Sequence, residues 1–319
     1  MVKPRILVIS NDTPTVALDL LRTKCDLTII PSPHPTREHV LRVVPEHDGI
    51  YLSSKVNVDS EMLNAAGPNL KVVCTMAAGY DHLDIPEIKR RGIKVGNTSE
   101  VSSSAVADIA VMLLLCAARR ANEGRLKLIE GKVKKSPQWL LGVDVKGSTI
   151  GIVGFGNIGQ AIAKRLKGFE IKNILYTGHS KKKAGDELGA EFVSLDELLE
   201  ESDFVIAATP LTNETLKMFN DNTFGKMKKT AVFVNVGRGK VVDTDALVRA
   251  VENRTIFAAG LDVVDPEPLP RDHKLLKLAN IEIMPHQGNA TVKIRNSMAT
   301  TAAQNLLNAL EGKPMIYPL

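Results

Sequence analysis

Short apolar runs rich in β-branched residues recur along this chain, and the intervals between them carry helical periodicity. In the first hundred residues RILVIS, LTII, GIYLS, KVVCT and IKVGN alternate with VALDLLRTK, DSEMLNAAG and DIPEIKRRG. Runs apolar on consecutive positions fit strands covered on both faces, with the helices as crossovers, so a parallel sheet is expected. A second series, TIGIVGF, NILYTG, FVIAATP, AVFVNVG, FAAGLDV and IEIMPH, predicts another doubly wound sheet. Between the two, residues 101–131 predict one long apolar helix, capped by the hydroxyls of Ser102, Ser103 and Ser104 and ending near Gly131. A last helix is predicted over residues 290–311, stopped by Gly312 and Pro314. It needs an apolar surface to pack on. If the first domain supplies that surface, the chain crosses back and the second domain is an insertion.

The expected fold is therefore α/β, with two doubly wound parallel-sheet (Rossmann-like) domains. Residues 1–101 with 290–319 would form one, and residues 102–289 the other. The 319 residues suffice for two sizeable cores, and 44% hydrophobic with 24% charged residues excludes disordered and fibrous classes. Net charge is +5, modest and scattered. Lys181, Lys182 and Lys183 form the main basic run without interleaved aromatics, so no nucleic-acid partner is expected. Cys25, Cys74 and Cys116 lie far apart among apolar residues, which suits reduced thiols and suggests no metal site. Apolar runs such as IAVMLLLCAA fall short of the roughly 20 residues that span a bilayer. With no leader pattern at the N-terminus, a cytoplasmic protein without a membrane partner is expected.

The chemistry concentrates in the second half. An apolar strand enters Gly154-Phe155-Gly156-Asn157-Ile158-Gly159 and leaves as helix, the arrangement that places a dinucleotide pyrophosphate on free N–H groups at a helix N-terminus. In NAD-specific folds an acidic residue roughly 20 positions later holds the ribose 2′-hydroxyl. Here the second strand ends in Thr177, Gly178, His179, Ser180 and Lys181, with no carboxylate. Hydroxyls, an imidazole and lysines suit a 2′-phosphate, so NADPH is expected to be preferred, with NADH also possible. Three further strand ends carry one prominent polar residue each: Arg238 between glycines, Glu267 between prolines, and His286 after IEIMP. A guanidinium fork for a carboxylate, a proton donor and an anion to hold that donor are the groups that reduction of a 2-keto acid requires.

NLKVVCTMAAGYDHLDIPEIKRRGIKVGNTSEV, STIGIVGFGNIGQAIAKRLK, AATPLTNETLKMFN, MKKTAVFVNVGRGKVVDTDAL, AAGLDVVDPEPLP and IMPHQGNAT occur in this order. On these segments, which run nearly the whole length, the chain resembles the D-2-hydroxyacid dehydrogenases, and within them the glyoxylate/hydroxypyruvate reductases. The resemblance implies an oxidoreductase that uses NAD(P)H to reduce glyoxylate to glycolate and hydroxypyruvate to D-glycerate. It implies that Arg238 binds substrate, that His286 is the acid/base and that Glu267 hydrogen-bonds it. It further places the Ala78 and Gly79 N–H groups on the substrate carboxylate, Asp262 near the nicotinamide amide, and Thr209 and Pro210 along the adenosine. A homodimer is implied, with Trp139 projecting into the neighbouring subunit's site. Asn157 stands where the family usually has arginine, and His179 where close relatives do. Both changes reduce positive charge near the cofactor phosphates. A D-3-phosphoglycerate dehydrogenase-like enzyme and a non-catalytic, dinucleotide-sensing corepressor-like protein are the alternatives.

Overall fold

A computed structural model describes residues 2–54 and 56–319. It divides into two compact units, Met1–Ser102 with Asn289–Leu319, and Ser103–Gly288.

The smaller unit holds β1 (Arg5–Val8), α1 (Thr15–Arg22), β2 (Asp26–Ile29), α2 (Arg37–Val43), β3 (Gly49–Leu52), α3 (Ser60–Ala66), β4 (Val72–Thr75), α4 (Ile85–Arg90) and β5 (Lys94–Gly96). Its strands run parallel in the order β2-β1-β3-β4-β5. Alternation along β1 shows why the run is apolar throughout. Ile6 and Val8 enter one core with α1, while Leu7 and Ile9 enter the other with α2, α3 and α4. Thr36, Asp59 and Asp84 cap the helices by accepting from His39, Met62 and Glu87 N–H groups. The last helix of the chain, numbered α12 below, runs Val292–Leu310 and buries Met298, Ala302, Ala303 and Leu306 beside Ile6 and Val8. The Tyr51 hydroxyl donates to its Ala299 carbonyl at 3.0 Å.

The larger unit runs α5 (Ser103–Ala118), α6 (Ala121–Ile129), β6 (Thr149–Val153), α7 (Asn157–Leu166), β7 (Asn173–Thr177), α8 (Lys183–Leu188), β8 (Ala190–Phe192), α9 (Leu195–Glu201), β9 (Phe204–Ala207), α10 (Asp221–Lys226), β10 (Val232–Asn235), α11 (Thr244–Glu252), β11 (Ala258–Leu261) and β12 (Ile281–Ile283), before α12. Seven parallel strands lie in the order β12-β11-β10-β9-β6-β7-β8. Ile150, Ile152 and Val234 face α5 and α7, while Val205, Phe233 and Leu261 face α9, α10 and α11.

The helix predicted over 101–131 is two helices. It breaks at Arg120, which is left-handed at φ 57° and whose guanidinium holds Glu123 at 2.9 Å and the Leu141 carbonyl at 3.2 Å. The break separates two environments. α5 is apolar on nearly every face and buried, as a core helix must be, whereas α6 buries none of its residues within the chain. Strand β8 escaped prediction because AEF carries too few apolar residues to register a period.

Among the described residues no helix is long and apolar enough to cross a membrane. All three cysteines are unpaired. Burial, reinforced by Asp26, pushes the Cys25 thiol up to about 11, and burial also raises Cys74 and Cys116. A raised thiol stays protonated and unreactive near pH 8. Native protein treated with iodoacetamide at that pH should therefore be alkylated at Cys116 first, with Cys25 and Cys74 modified only after unfolding. Mass spectrometry showing Cys74 modified as fast in native as in urea-unfolded protein would contradict this.

Candidate active site

The strands of the larger sheet are parallel, so their C-terminal ends share one edge. From β6 the chain winds one way through β7 and β8, then reverses to β9 and onward to β12. At such a reversal the outgoing loops splay apart and leave a crevice.

The glycine loop lies at that point. Gly154 has φ 95°, and a Cβ there would stand 2.7 Å from the Ala208 carbonyl oxygen and 2.8 Å from Thr209 N. Only glycine meets both demands. A Cβ on Gly156, the N-cap of α7, would meet nothing within 4 Å. Open space therefore adjoins the first amides of a helix, the setting in which a pyrophosphate binds. At Gly159 a Cβ would strike the Gly154 carbonyl, so helix and loop pack tightly there. Phe155 is buried and stacks on Tyr176 at 4.1 Å, whereas Asn157 is exposed and Ile158 half-buried. These features fit a dinucleotide.

At the end of β7, Thr177 is half-buried and Gly178, His179 and Ser180 are exposed. Lys181 pairs with Asp186 at 2.9 Å. Glu214, on the loop after β9, is a residue that local pattern did not single out. The Thr212 hydroxyl at 2.6 Å, with His179 nearby, holds its carboxyl below the usual range. The strand end thus lacks an acid of its own, while Glu214 on another loop lies within electrostatic reach of His179. Thr209 is buried, and its carbonyl stands 2.6 Å from where a Cβ on Gly237 would lie. Pro210 is exposed, and its carbonyl accepts the Thr215 hydroxyl at 2.7 Å.

Arg238 leaves β10 half-buried, with Nη1 donating to the Gly237 carbonyl at 2.9 Å. Glu267 and His286, widely separated in sequence, come together: His286 Nδ1 lies 2.5 Å from Glu267 Oε1. The two side chains keep 30% and 35% of their surface exposed, so the pair is reachable by a small substrate. His286 has φ 53°, a conformation uncommon for a residue with a side chain. Asp262 is buried, and its carboxylate accepts from the Gln287 and Gly288 N–H groups at 2.7 and 2.9 Å. Burial pushes this carboxyl up against the opposing pull of those bonds and of His286.

In the smaller unit, Ala78 and Gly79 are half-buried in the loop after β4. The Ala78 carbonyl accepts from Asn97 Nδ2 at 2.8 Å. Trp139 is half-buried in a bend of the larger unit, its backbone N–H donating to the Ser136 carbonyl at 3.1 Å.

Residues 111–288, more than half of the chain, match the family described as D-isomer specific 2-hydroxyacid dehydrogenase, NAD binding domain. The chain belongs to the D-isomer specific 2-hydroxyacid dehydrogenases. This dehydrogenase is similar to a glyoxylate reductase/hydroxypyruvate reductase of Homo sapiens, 47% identical over 285 residues, which covers 89% of this chain and 87% of that one. A glyoxylate reductase of Thermococcus kodakarensis is 42% identical over 98% of the dehydrogenase and 94% of its own length. Among solved structures, a glyoxylate reductase from Paecilomyes thermophila superposes with a TM-score of 0.91 at 29% identity, covering 100% and 99% of the two chains. An NADPH-dependent glyoxylate/hydroxypyruvate reductase from Sinorhizobium meliloti, in complex with NADP and malonate, gives 0.86 at 31% identity, covering 99% and 97%. The dehydrogenase is an oxidoreductase with a nicotinamide dinucleotide-binding domain.

Proposed function

We propose that the dehydrogenase reduces glyoxylate to glycolate and hydroxypyruvate to D-glycerate, with NADPH preferred over NADH. The observation that carries the reading is the 2.5 Å contact between His286 Nδ1 and Glu267 Oε1. A carboxylate on Nδ1 fixes the ring's orientation and leaves Nε2 to meet the substrate. Protonated His286 then gives its proton to the carbonyl oxygen as C2 is reduced. Arg238 binds the keto acid and stabilises the charge that develops on that oxygen. The N–H groups of Ala78 and Gly79 are the proposed donors to the substrate carboxylate. When bound, the cofactor supplies the hydride that C2 receives. Gly154, Phe155, Gly156, Asn157, Ile158 and Gly159 would hold its pyrophosphate, with Thr209, Pro210 and Asp262 along its length.

The NADPH preference is supported by Thr177, Gly178, His179 and Ser180, a strand end without a carboxylate, and by the Sinorhizobium meliloti neighbour's complex with NADP. Glu214 and the engaged Lys181 weaken the attraction for a 2′-phosphate. Some turnover with NADH is therefore expected.

The deciding experiment is oxidation of NADPH and of NADH by purified protein against glyoxylate, hydroxypyruvate, pyruvate and 3-phosphohydroxypyruvate. Turnover of the first two, with a higher kcat/KM for NADPH, is the expected outcome. Turnover confined to 3-phosphohydroxypyruvate, or none despite bound cofactor, would overturn the reading.

A homodimer is the proposed assembly. In support, α6 buries no residue within the chain, and Leu128 and Ile129 are 68% and 67% exposed, a pair of apolar side chains that a second copy could cover. Light scattering should give twice the chain mass, and a monomer at micromolar concentration would exclude it. In such a dimer Trp139 is the residue proposed to reach the neighbouring site.

A further inference from the structure

Asn235 and Asp262 sit at the ends of neighbouring strands. Asn235 is the last residue of β10, Asp262 follows the last residue of β11, and the Asp262 N–H donates to the Asn235 carbonyl at 2.9 Å. Their side chains are buried, at 0% and 2% exposure, where an unmade hydrogen bond is costly. Each directs both of its polar atoms to backbone beside one proposed catalytic residue. Asn235 Oδ1 accepts from the Gly237 N–H at 3.0 Å, and its Nδ2 donates to the Arg238 carbonyl at 2.9 Å. The Asp262 carboxylate accepts from Gln287 and Gly288, while its own carbonyl accepts from the His286 N–H at 2.8 Å.

The residue types match these duties. The Arg238 loop presents one donor and one acceptor, which an amide satisfies and a carboxylate does not. The turn after His286 presents a separate donor to each Asp262 oxygen, which a carboxylate satisfies and an amide, with an NH2 in place of one oxygen, does not. That turn also carries the φ of 53° at His286, a conformation that persists where surrounding bonds hold it. We infer that Asn235 and Asp262 are positioning residues, an amide clamp and a carboxylate clamp that set the backbone of Arg238 and His286 for reaction. This rests on the catalytic roles proposed above for Arg238 and His286.

The test uses the isosteric exchanges N235D and D262N, each of which inverts one buried hydrogen bond at nearly constant volume. In D262N, kcat for glyoxylate reduction should fall roughly 10²-fold, the loss that displacement of a reacting group by about 1 Å produces. The KM for glyoxylate should stay near wild type, and the Kd for NADPH, measured separately, should change far less than kcat, since Asp262 is only one of several residues proposed along the cofactor. In N235D both kcat and KM should worsen, about tenfold each, because Arg238 serves binding as well as turnover. Should either exchange fail to fold, Asn235→Ser and Asp262→Ser, which withdraw the side-chain bonds without setting like groups against each other, should show the same split. Folded variants with wild-type kcat and KM would overturn the clamps. A D262N defect confined to NADPH affinity would assign Asp262 to the cofactor instead. Hydrogen exchange at the Gln287 and Gly288 amides gives a readout that needs no turnover: it should accelerate in D262N, and unchanged protection would overturn the clamp. A wild-type protein inactive on keto acids counts against the catalytic roles, whereas the exchange result still decides the carboxylate clamp.

Discussion

Replacing His286 with glutamine should lower kcat for glyoxylate or hydroxypyruvate reduction by about 10³-fold, within the range that loss of a positioned general acid produces. Glutamine approximates the reach of the ring and can still bond to Glu267, but its amide protons are too weakly acidic to transfer. The Kd for NADPH should be little changed, since the glycine loop and the end of β7 are untouched. Glu267→Gln should also reduce kcat, since an amide facing Nδ1 does not dictate the ring's orientation as a carboxylate does. Steady-state kinetics for the three proteins provide the measurement. An H286Q variant within a few-fold of wild type would remove His286 as the donor.

Arg238→Ala is expected to damage both parameters, raising KM for the keto acid and lowering kcat, with kcat/KM down by about 10³-fold or more. In the role proposed for it, the guanidinium forms charge-assisted bonds to the substrate and faces the oxygen on which charge develops, so its removal should be felt in the ground state and in the transition state. Arg238→Lys sharpens the test. Lysine restores a cation without the planar two-pronged geometry, so it should recover only part of the loss. Kinetics on both variants, with NADPH binding measured separately, distinguish this from a general disturbance of the β10 loop. Near-normal kinetics in R238A would withdraw the assignment.

Much of the architecture was legible because its signals are local. Consecutive β-branched residues in GIYL and VFVN mark strands that bury both faces, and both are wholly buried in the parallel sheets. The glycine loop was legible because a strand, a turn requiring φ 95° at Gly154 and a helix follow one another directly. Six ordered segments pointed to the family, which the match over residues 111–288 and the 47% identical relative establish. The predicted helix over 101–131 shows where local pattern fails. Nothing in Arg119-Arg120 has the glycine or proline mark of a helix end, yet the chain leaves the core there for a helix that buries nothing. The propensity of the segment is helical on both sides of a break that packing imposes.

The same division runs through the site. Residue types at strand ends nominated Arg238, Glu267 and His286, because a guanidinium, a carboxylate and an imidazole carry their chemistry wherever they stand. Which of them meet is a matter of distance in space. Glu267 and His286 lie in different loops, and only the parallel alignment of β11 with β12 brings the loops together so that the two side chains touch. Glu214 reaches the neighbourhood of His179 because β6 separates β9 from β7 by a single strand, an order no periodicity encodes. Asp262 and the 287–288 amides are likewise joined by sheet register. Hydrophobic period, turn chemistry and functional-group type act over a few residues and are written directly in the chain. Hydrogen-bond partners and the surroundings of a carboxylate depend on angstrom-scale placement of segments far apart in sequence, which exists only once the sheet has assembled.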